Sequence, residues 1–189
     1  MQISRGIAPR KHVYEDNIKP SIIMTMSRTV FNIKDPVSII TSEDIRWKRC
    51  DIKSVSLLPN ILLKNKAHRE SSEECWFYDK KGFITEGTTS NAWIIKDNII
   101  YTTPLSNLIL PGVTRSFVYK VAEDNNFSIK EHKFSLKDVQ NADEAFLTNT
   151  SSIILQINKV NNVKLKGKYA KKNITYKLQK LVLSKLLNT

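Results

Sequence analysis

The chain has 189 residues, 30 Lys and Arg against 18 Asp and Glu for a formal charge of +12, 41% apolar residues and only two cysteines. That length suits one domain, or one domain with an appendage, able to bury close to ~70% of its unfolded surface, so a small disulfide-dependent scaffold is excluded. Cys50 and Cys75 show no metal-ligand or redox spacing, and the three histidines, His12, His68 and His132, lie far apart, so no zinc or other metal site is indicated.

The positive charge permits contact with nucleic acid or an anionic membrane surface. The lysines are dispersed, however, and the densest run, Lys164 to Lys172, holds a single aromatic, Tyr169, rather than the interleaved rings of a single-strand binder. No specific nucleic-acid partner is therefore expected. The first residues lack the apolar core of a signal peptide, and no apolar run approaches the ~18 residues of a membrane span. A soluble, cytoplasmic chain without a membrane partner is the expectation.

In chain order, residues 1 to 14 read as a strand and turn, with Gln2-Ile3-Ser4 before Arg5-Gly6 and Pro9, then His12-Val13-Tyr14. A strand this early needs a pairing partner, and nothing upstream supplies one. Ser21 to Thr25 is a second short strand, and Ser27 to Asp35 a linker ending near Pro36. A helix is predicted from Leu57 to Glu70, with Ser56 as N-cap, Leu57, Leu58, Ile61 and Leu62 as its apolar face, and basic residues closing its end. Cys75 to Tyr78, Phe83 to Glu86, Ala92 to Lys96 and Ile99 to Thr102 then form a meander, with a two-residue hairpin loop at Asp97-Asn98. Gly112 and Thr114 open a helix with Phe117, Val118, Val121 and Ala122 on one face. Phe127 to Lys133 alternates weakly as a strand, Ser135 to Asp138 is a capping pattern, and Ala145 to Thr148 is a strand. Ile153 to Val163 is a hairpin turning at Asn161-Asn162, and Ile174 to Leu187 is an amphipathic helix with Leu178, Leu181 and Val182 inward.

Candidate chemistry begins at Lys53. An amine is a weak nucleophile while protonated, so a catalytic lysine needs a desolvated or cation-rich setting. Lys53 follows Arg46, Lys48 and Arg49 and precedes the apolar Val55, Leu57 and Leu58; on these residues alone a solvated surface lysine is the competing reading. Leu110-Pro111-Gly112-Val113-Thr114 entering a helix would present free N–H groups and the positive end of a dipole to a phosphate, or be only a helix cap.

The ordered set Arg46-Trp-x-Arg-Cys-Asp-Ile-Lys53-Ser, Thr85-Glu86-Gly-x-x-Ser90-Asn91, Leu110-x-Gly-Val-Thr-Arg115 and Thr148-x-Thr150-Ser-Ser resembles the fold-type IV (class IV) pyridoxal-phosphate (PLP) aminotransferases, and within them the D-amino-acid transaminases. The resemblance implies an α/β fold, the large domain of the D-amino-acid aminotransferase-like enzymes, over 31–189, with 1–30 as the last strands of the small domain and a linker. It implies PLP as cofactor, with Lys53 as the catalytic, Schiff-base lysine and Glu86 as the partner of the ring nitrogen. Val113, Thr114 and Thr150 are implied at the phosphate, Leu110 among the cofactor-binding residues, and Ser90 and Asn91 beside the ring, Asn91 being equally readable as a structural turn residue. Arg10 and His12, in Ala-Pro-Arg-Lys-His, match the pair that grips the substrate carboxylate across a dimer interface, which implies a homodimer acting on amino acid and 2-oxo acid substrates.

Pro111 and Asn149 depart mildly from the pattern. Most of the family's amino-terminal small domain is unmatched, together with a phosphate-binding arginine and a substrate-positioning tyrosine. The expectation is a transaminase that is weakly active or inactive alone. The alternatives are a non-catalytic remnant, or a member nearer to the branched-chain aminotransferases or aminodeoxychorismate lyases.

Overall fold

The structure, a computed structural model, describes residues 1–167 and 173–187. It divides into two units, Met1–Phe31 and Asn32–Thr189. In the first unit, β1 (Gln2–Ser4) finds its partner downstream, pairing antiparallel with β2 (Ser21–Ile23) in the register Ile3 to Ile22. Gly6 turns the chain at φ +132°, and Arg5 stacks over the Tyr14 ring at 3.5 Å. His12 to Tyr14 form no strand.

The second unit is mixed α/β. Its strands are β3 (Val37–Glu43), β4 (Glu74–Tyr78), β5 (Ile84–Gly87), β6 (Asn91–Lys96), β7 (Ile99–Thr102), β8 (Ile129–Glu131), β9 (Glu144–Asn149), β10 (Ile153–Val160) and β11 (Val163–Lys164). Its helices are α1 (Leu58–Arg69), α2 (Val113–Asp124), α3 (Leu136–Asn141) and α4 (Ile174–Leu187). The spatial order β5-β4-β3-β10-β9-β6-β7-β8, with β11 on β10, corrects the expected meander. β4–β5 and β6–β7 are hairpin pairs, but β3, β10 and β9 lie between them in the sheet.

The strand that makes this order possible, β3, was absent from the sequence reading. It sits between β4 and β10 and is parallel to both. A parallel neighbour requires a crossover, and α1 supplies it between β3 and β4, as α2 does between β7 and the parallel β8. The sheet curls until its two ends approach. The Ile84 N–H donates to the Phe134 carbonyl (2.8 Å), Phe83 bridges Ser135, and the Thr103 hydroxyl donates to the Ile84 carbonyl (2.9 Å).

The side chains explain the layers. Trp93, Ile95, Phe146 and Ile154 project to one face and meet Val118 and Val121 of α2 and Leu178 and Val182 of α4. Trp76, Ile84, Ile94, Leu147 and Leu155 fill the concave face, closed by Val139 of α3 and by Phe134 just before it. α3 carries the predicted cap, Ser135 and Asp138 exchanging bonds as a capping box. The predicted face of α1 is corrected. Leu58, Ile61 and Leu62 are more than half exposed, whereas Leu63 and Ala67 make the contacts to Ile40 and Cys75, and no side chain caps the helix at Leu57. Leucines placed by helical spacing occupied the right helix and the wrong side of it. Asp97-Asn98 and Asn161-Asn162 both adopt positive φ, as two-residue hairpin turns demand. Among the described residues no helix is long and apolar enough to cross a membrane, and no cluster of potential metal ligands occurs. The part of the lysine run beyond Gly167 lies outside the described residues.

Candidate active site

Both crossover connections leave the carboxyl ends of their strands, where open α/β sheets place ligands. The β3–α1 connection, 44–57, carries Lys53, and the β7–α2 connection, 103–112, carries Leu110 to Gly112. The two are laced together. The Cys50 N–H donates to the Asn107 carbonyl and the Asn107 amide returns a bond to the Lys48 carbonyl, each at 2.8 Å. The turn between β5 and β6, 88–90, forms the third wall. These three segments enclose a cavity of about 580 Å³, within the ordinary range for small-molecule and cofactor sites. Lys53, Glu86, Ser90 and Asn91 line it, as do Leu110, Val113, Thr114 and Thr150. Arg10 and His12 belong to the first unit, exposed on the connection between β1 and β2.

The most constrained group is the buried Glu86. One carboxylate oxygen accepts from the Arg46 guanidinium, and the other from the Leu110 N–H (3.0 Å) and the Asn91 side-chain amide (3.2 Å). Burial pushes the Glu86 carboxyl up to about 7, against the opposing pull of Arg46. A carboxylate offers about four lone-pair sites, so three donors leave it able to accept from one more N–H in the cavity.

Arg46 is held in turn by Asp44, through Nε (2.9 Å) and Nη2 (2.7 Å), and donates to the Leu108 carbonyl at 3.0 Å. Its guanidinium also lies over the Phe77 ring, 4.4 Å from the centroid. Burial opposes its charge, but the bonds and fields of Asp44 and Glu86 more than offset that, and the group stays cationic. The arginine that the sequence placed among the cationic neighbours of Lys53 thus faces the carboxylates. Arg49 is paired with Asp51 at 3.0 Å, and Lys53 is exposed at the cavity wall. The Cys50 thiol, buried beside them, donates to the Trp47 carbonyl and is pushed up by burial.

At the other end, α2 begins at Gly112 with no side chain capping it, so its first-turn N–H groups are open for an anion. Gly112 is required for space rather than conformation, because its φ is −61° and an added Cβ would collide with the Asn91 Oδ1. Asn91, whose amide also donates to the Leu110 carbonyl (2.9 Å), therefore ties the Glu86 end to the helix end. The same first turn is anchored from behind by Arg115, buried against Trp93, which donates to the Thr103 carbonyl (3.0 Å) and to Glu131 (2.7 Å). Asn149, a departure from the family pattern, uses its side-chain carbonyl to accept from the Ser152 N–H (2.8 Å) and so shapes the turn bearing Thr150. Ser90 lines the cavity, with its hydroxyl donating to Glu74 at 3.0 Å.

Asp44, Glu74 and Arg115 are not among the residues the sequence singles out, and Arg46 has carboxylates rather than Lys53 as its neighbours. Only Arg46 and Arg115 carried a signal, each lying inside a quoted motif. Asp44 and Glu74 are single carboxylates whose partners come from distant strands.

Comparison with known proteins identifies the family. The family model for amino-transferase class IV matches residues 1–160. A D-alanine aminotransferase of Bacillus licheniformis is 36% identical over 200 residues, covering all of this chain and 69% of that protein. One of Listeria innocua is 39% identical over 171 residues, covering 87% of the chain and 59% of that protein. Among solved structures, a Legionella pneumophila protein assigned as a 4-amino-4-deoxychorismate lyase superposes with a TM-score of 0.83 at 26% identity, over 98% of this chain and 67% of that one. The chain thus spans between somewhat under three fifths and about seven tenths of the curated relatives it matches. With the family pattern matched from residue 1 to residue 160 and relatives at this level of identity, the chain belongs to the class IV aminotransferases, a family of PLP-dependent enzymes.

Proposed function

We propose that this chain provides the cofactor-holding part of a PLP-dependent transaminase that moves an amino group between a D-amino acid and a 2-oxo acid. The observation that carries the reading is that one cavity is lined by an amine, a buried carboxylate and an uncapped helix N-terminus, Lys53, Glu86 and Gly112 to Thr114. These suit the aldehyde, ring nitrogen and phosphate of PLP. When bound, PLP supplies an electron sink for negative charge at the substrate α-carbon.

The chain's own residues do the rest. Lys53 Nζ is the amine assigned to hold the cofactor's aldehyde carbon and, once displaced, to carry a proton to and from the substrate. Glu86, fixed by Arg46, Asn91 and the Leu110 N–H, keeps the ring nitrogen protonated. The Val113 and Thr114 N–H groups and the Thr150 hydroxyl would hold the phosphate, Ser90 and Asn91 would line the ring side, and Leu110 would complete the cofactor-binding wall. Arg10 and His12 are assigned the substrate carboxylate, in a homodimer, on the sequence pattern. Preference for D-amino acids is supported by that pair and by the names of the relatives.

Titration with PLP should produce a visible absorption band, and borohydride should fix the cofactor on Lys53. D-alanine, but not L-alanine, should then bleach the band. Identical spectra for wild type and Lys53→Ala would refute the assignment of Lys53, and bleaching by L-branched-chain amino acids alone would move the chain to another branch of the family.

A further inference from the structure

A second buried carboxylate lies beside the cavity. Glu74, at the start of β4, is 1% exposed, and its carboxylate is surrounded by donors from three consecutive residues of the β5–β6 turn. One oxygen accepts from the Thr88 N–H (3.2 Å), the Thr88 hydroxyl and the Cys75 N–H (2.8 Å). The other accepts from the Thr89 N–H (3.2 Å), the Thr89 hydroxyl (2.9 Å) and the Ser90 hydroxyl (3.0 Å). Among the described residues, Lys64 of α1 is the cation paired with it, 3.8 Å away. A buried carboxylate normally needs a close, matched cation; here six neutral donors, three on each oxygen, more than fill its about four lone-pair sites.

The turn so gripped joins Glu86, at the end of β5, to Asn91, the first residue of β6. It is also tied to the helix that follows the Lys53 segment, because the Asn60 side-chain amide donates to the Thr88 carbonyl at 2.8 Å. Gly87 leaves room for the grip, since an added Cβ would meet Ser90 Oγ and lie 3.2 Å from the Glu74 side chain.

We infer that Glu74 is a positioning residue for the cofactor site: its carboxylate clamps the 88–90 turn and thereby fixes Glu86 and Asn91 relative to the α1 side of the cavity. Its action on the cofactor rests on the function proposed above; its action on the turn does not. The hydroxyls of Thr88, Thr89 and Ser90 can rotate to meet any acceptor, but the two backbone N–H groups cannot. A glutamine offers one oxygen and one NH2, so in either orientation one backbone N–H of the turn faces another donor. With the Cys75 and Thr88 N–H groups both on the first oxygen, the side-chain carbonyl settles there and the Thr89 N–H is the one abandoned.

The test compares the full chain with Glu74→Gln and with Thr89→Val, a change at an exposed position that removes one hydroxyl and leaves the fold's core untouched. Residue-resolved amide exchange without cofactor should show Thr89 at least about tenfold less protected in Glu74→Gln while Thr88 and the Ile94 and Ile95 amides of β6 keep their protection, and PLP should bind on the order of tenfold more weakly, the size of one lost charge-assisted bond. Thr89→Val should weaken PLP about threefold with an unchanged melting temperature; because Thr89 also lines the cavity, it decides the matter, if Glu74→Gln does not fold, by lower protection of the Thr88 and Thr89 amides without cofactor, and unchanged protection there would overturn the clamp. Unchanged exchange at Thr89 would overturn the clamp. A loosened turn with unchanged PLP affinity would overturn the positioning role. Failure of the wild type itself to bind PLP would instead sink the proposed function, leaving the clamp to stand or fall on the exchange rates.

Discussion

The two ends of the cavity are built in opposite ways. At Glu86, three donors fix the carboxylate, and one of them, Arg46, is itself held by the buried Asp44 and an aromatic ring. At Lys53, the side chain is exposed on an irregular connection between a strand end and α1. The group that must stay still is held by the fold, and the group that must bind, release and carry protons is left on a loop. The difference separates stability from chemistry: substitutions at the Glu86 end should destabilise the fold, and substitutions at the Lys53 end should only disarm it.

The largest effect is expected at Arg46. Arg46→Ala leaves Asp44 and Glu86 as buried carboxylates with no cation between them, and breaking a buried pair by removing one partner costs about 3–5 kcal/mol. Urea unfolding near neutral pH should report that loss. A cost under about 1 kcal/mol would mean that water reaches both carboxylates and that this end is no more rigid than the other.

Next comes pH. The Glu86 carboxyl stands near 7 in the folded chain because burial disfavours its charge, against an ordinary value of 4.5. The folded state then binds more protons than the unfolded state between those values, so this group's contribution is full below about 4.5 and is lost as pH rises through about 7. Wild type should lose on the order of 1–3 kcal/mol relative to Glu86→Gln between pH 4.5 and 7.5. Parallel pH profiles for the two proteins would show that Arg46 holds Glu86 ionised throughout.

How much of this was legible in the sequence follows the same division. Lys53, Glu86 and the Gly112–Thr114 helix start were readable because each sits in a short contiguous string. α4 was readable because Leu178 and Val182 repeat at helical spacing. β3 was not, although Val37-Ser38-Ile39-Ile40-Thr41 is rich in β-branched residues, because nothing local says that its two neighbours are β4 and the far-off β10. Asp44 and Glu74 were invisible for the same reason: a lone carboxylate becomes a clamp only when Thr85, or Thr88 to Ser90, is folded onto it. The α1 face was misread because helical spacing identifies a stripe of leucines without saying what covers it.

A third, smaller effect tests the link between the two ends. Gly112→Ala pushes a methyl group into the Asn91 Oδ1, and overpacking of this kind costs about 1–3 kcal/mol. Asn91→Ala removes the obstacle, so the double variant should lose less than the sum of the two single losses. Additive losses in thermal melts would show that the methyl is accommodated by moving α2, leaving the Glu86 partners undisturbed.

The smallest effect on folding, and the most complete on chemistry, is expected at Lys53. The side chain is exposed and lies on a connection rather than in a strand or helix, and surface substitutions away from caps, cores and buried pairs change stability by no more than about 0.5 kcal/mol. Lys53→Ala should therefore melt with wild type. It should also keep the buried Arg46–Glu86 pair and the open start of α2, so PLP should still bind, weakly and reversibly, through its phosphate and ring nitrogen. What disappears is fixation by borohydride and the visible band, because no other amine lines the described cavity. A variant that melts several degrees lower would place Lys53 within the rigid part of the site and erase the contrast between the ends; one that still retains cofactor after borohydride treatment would shift the chemistry to a lysine elsewhere in the chain.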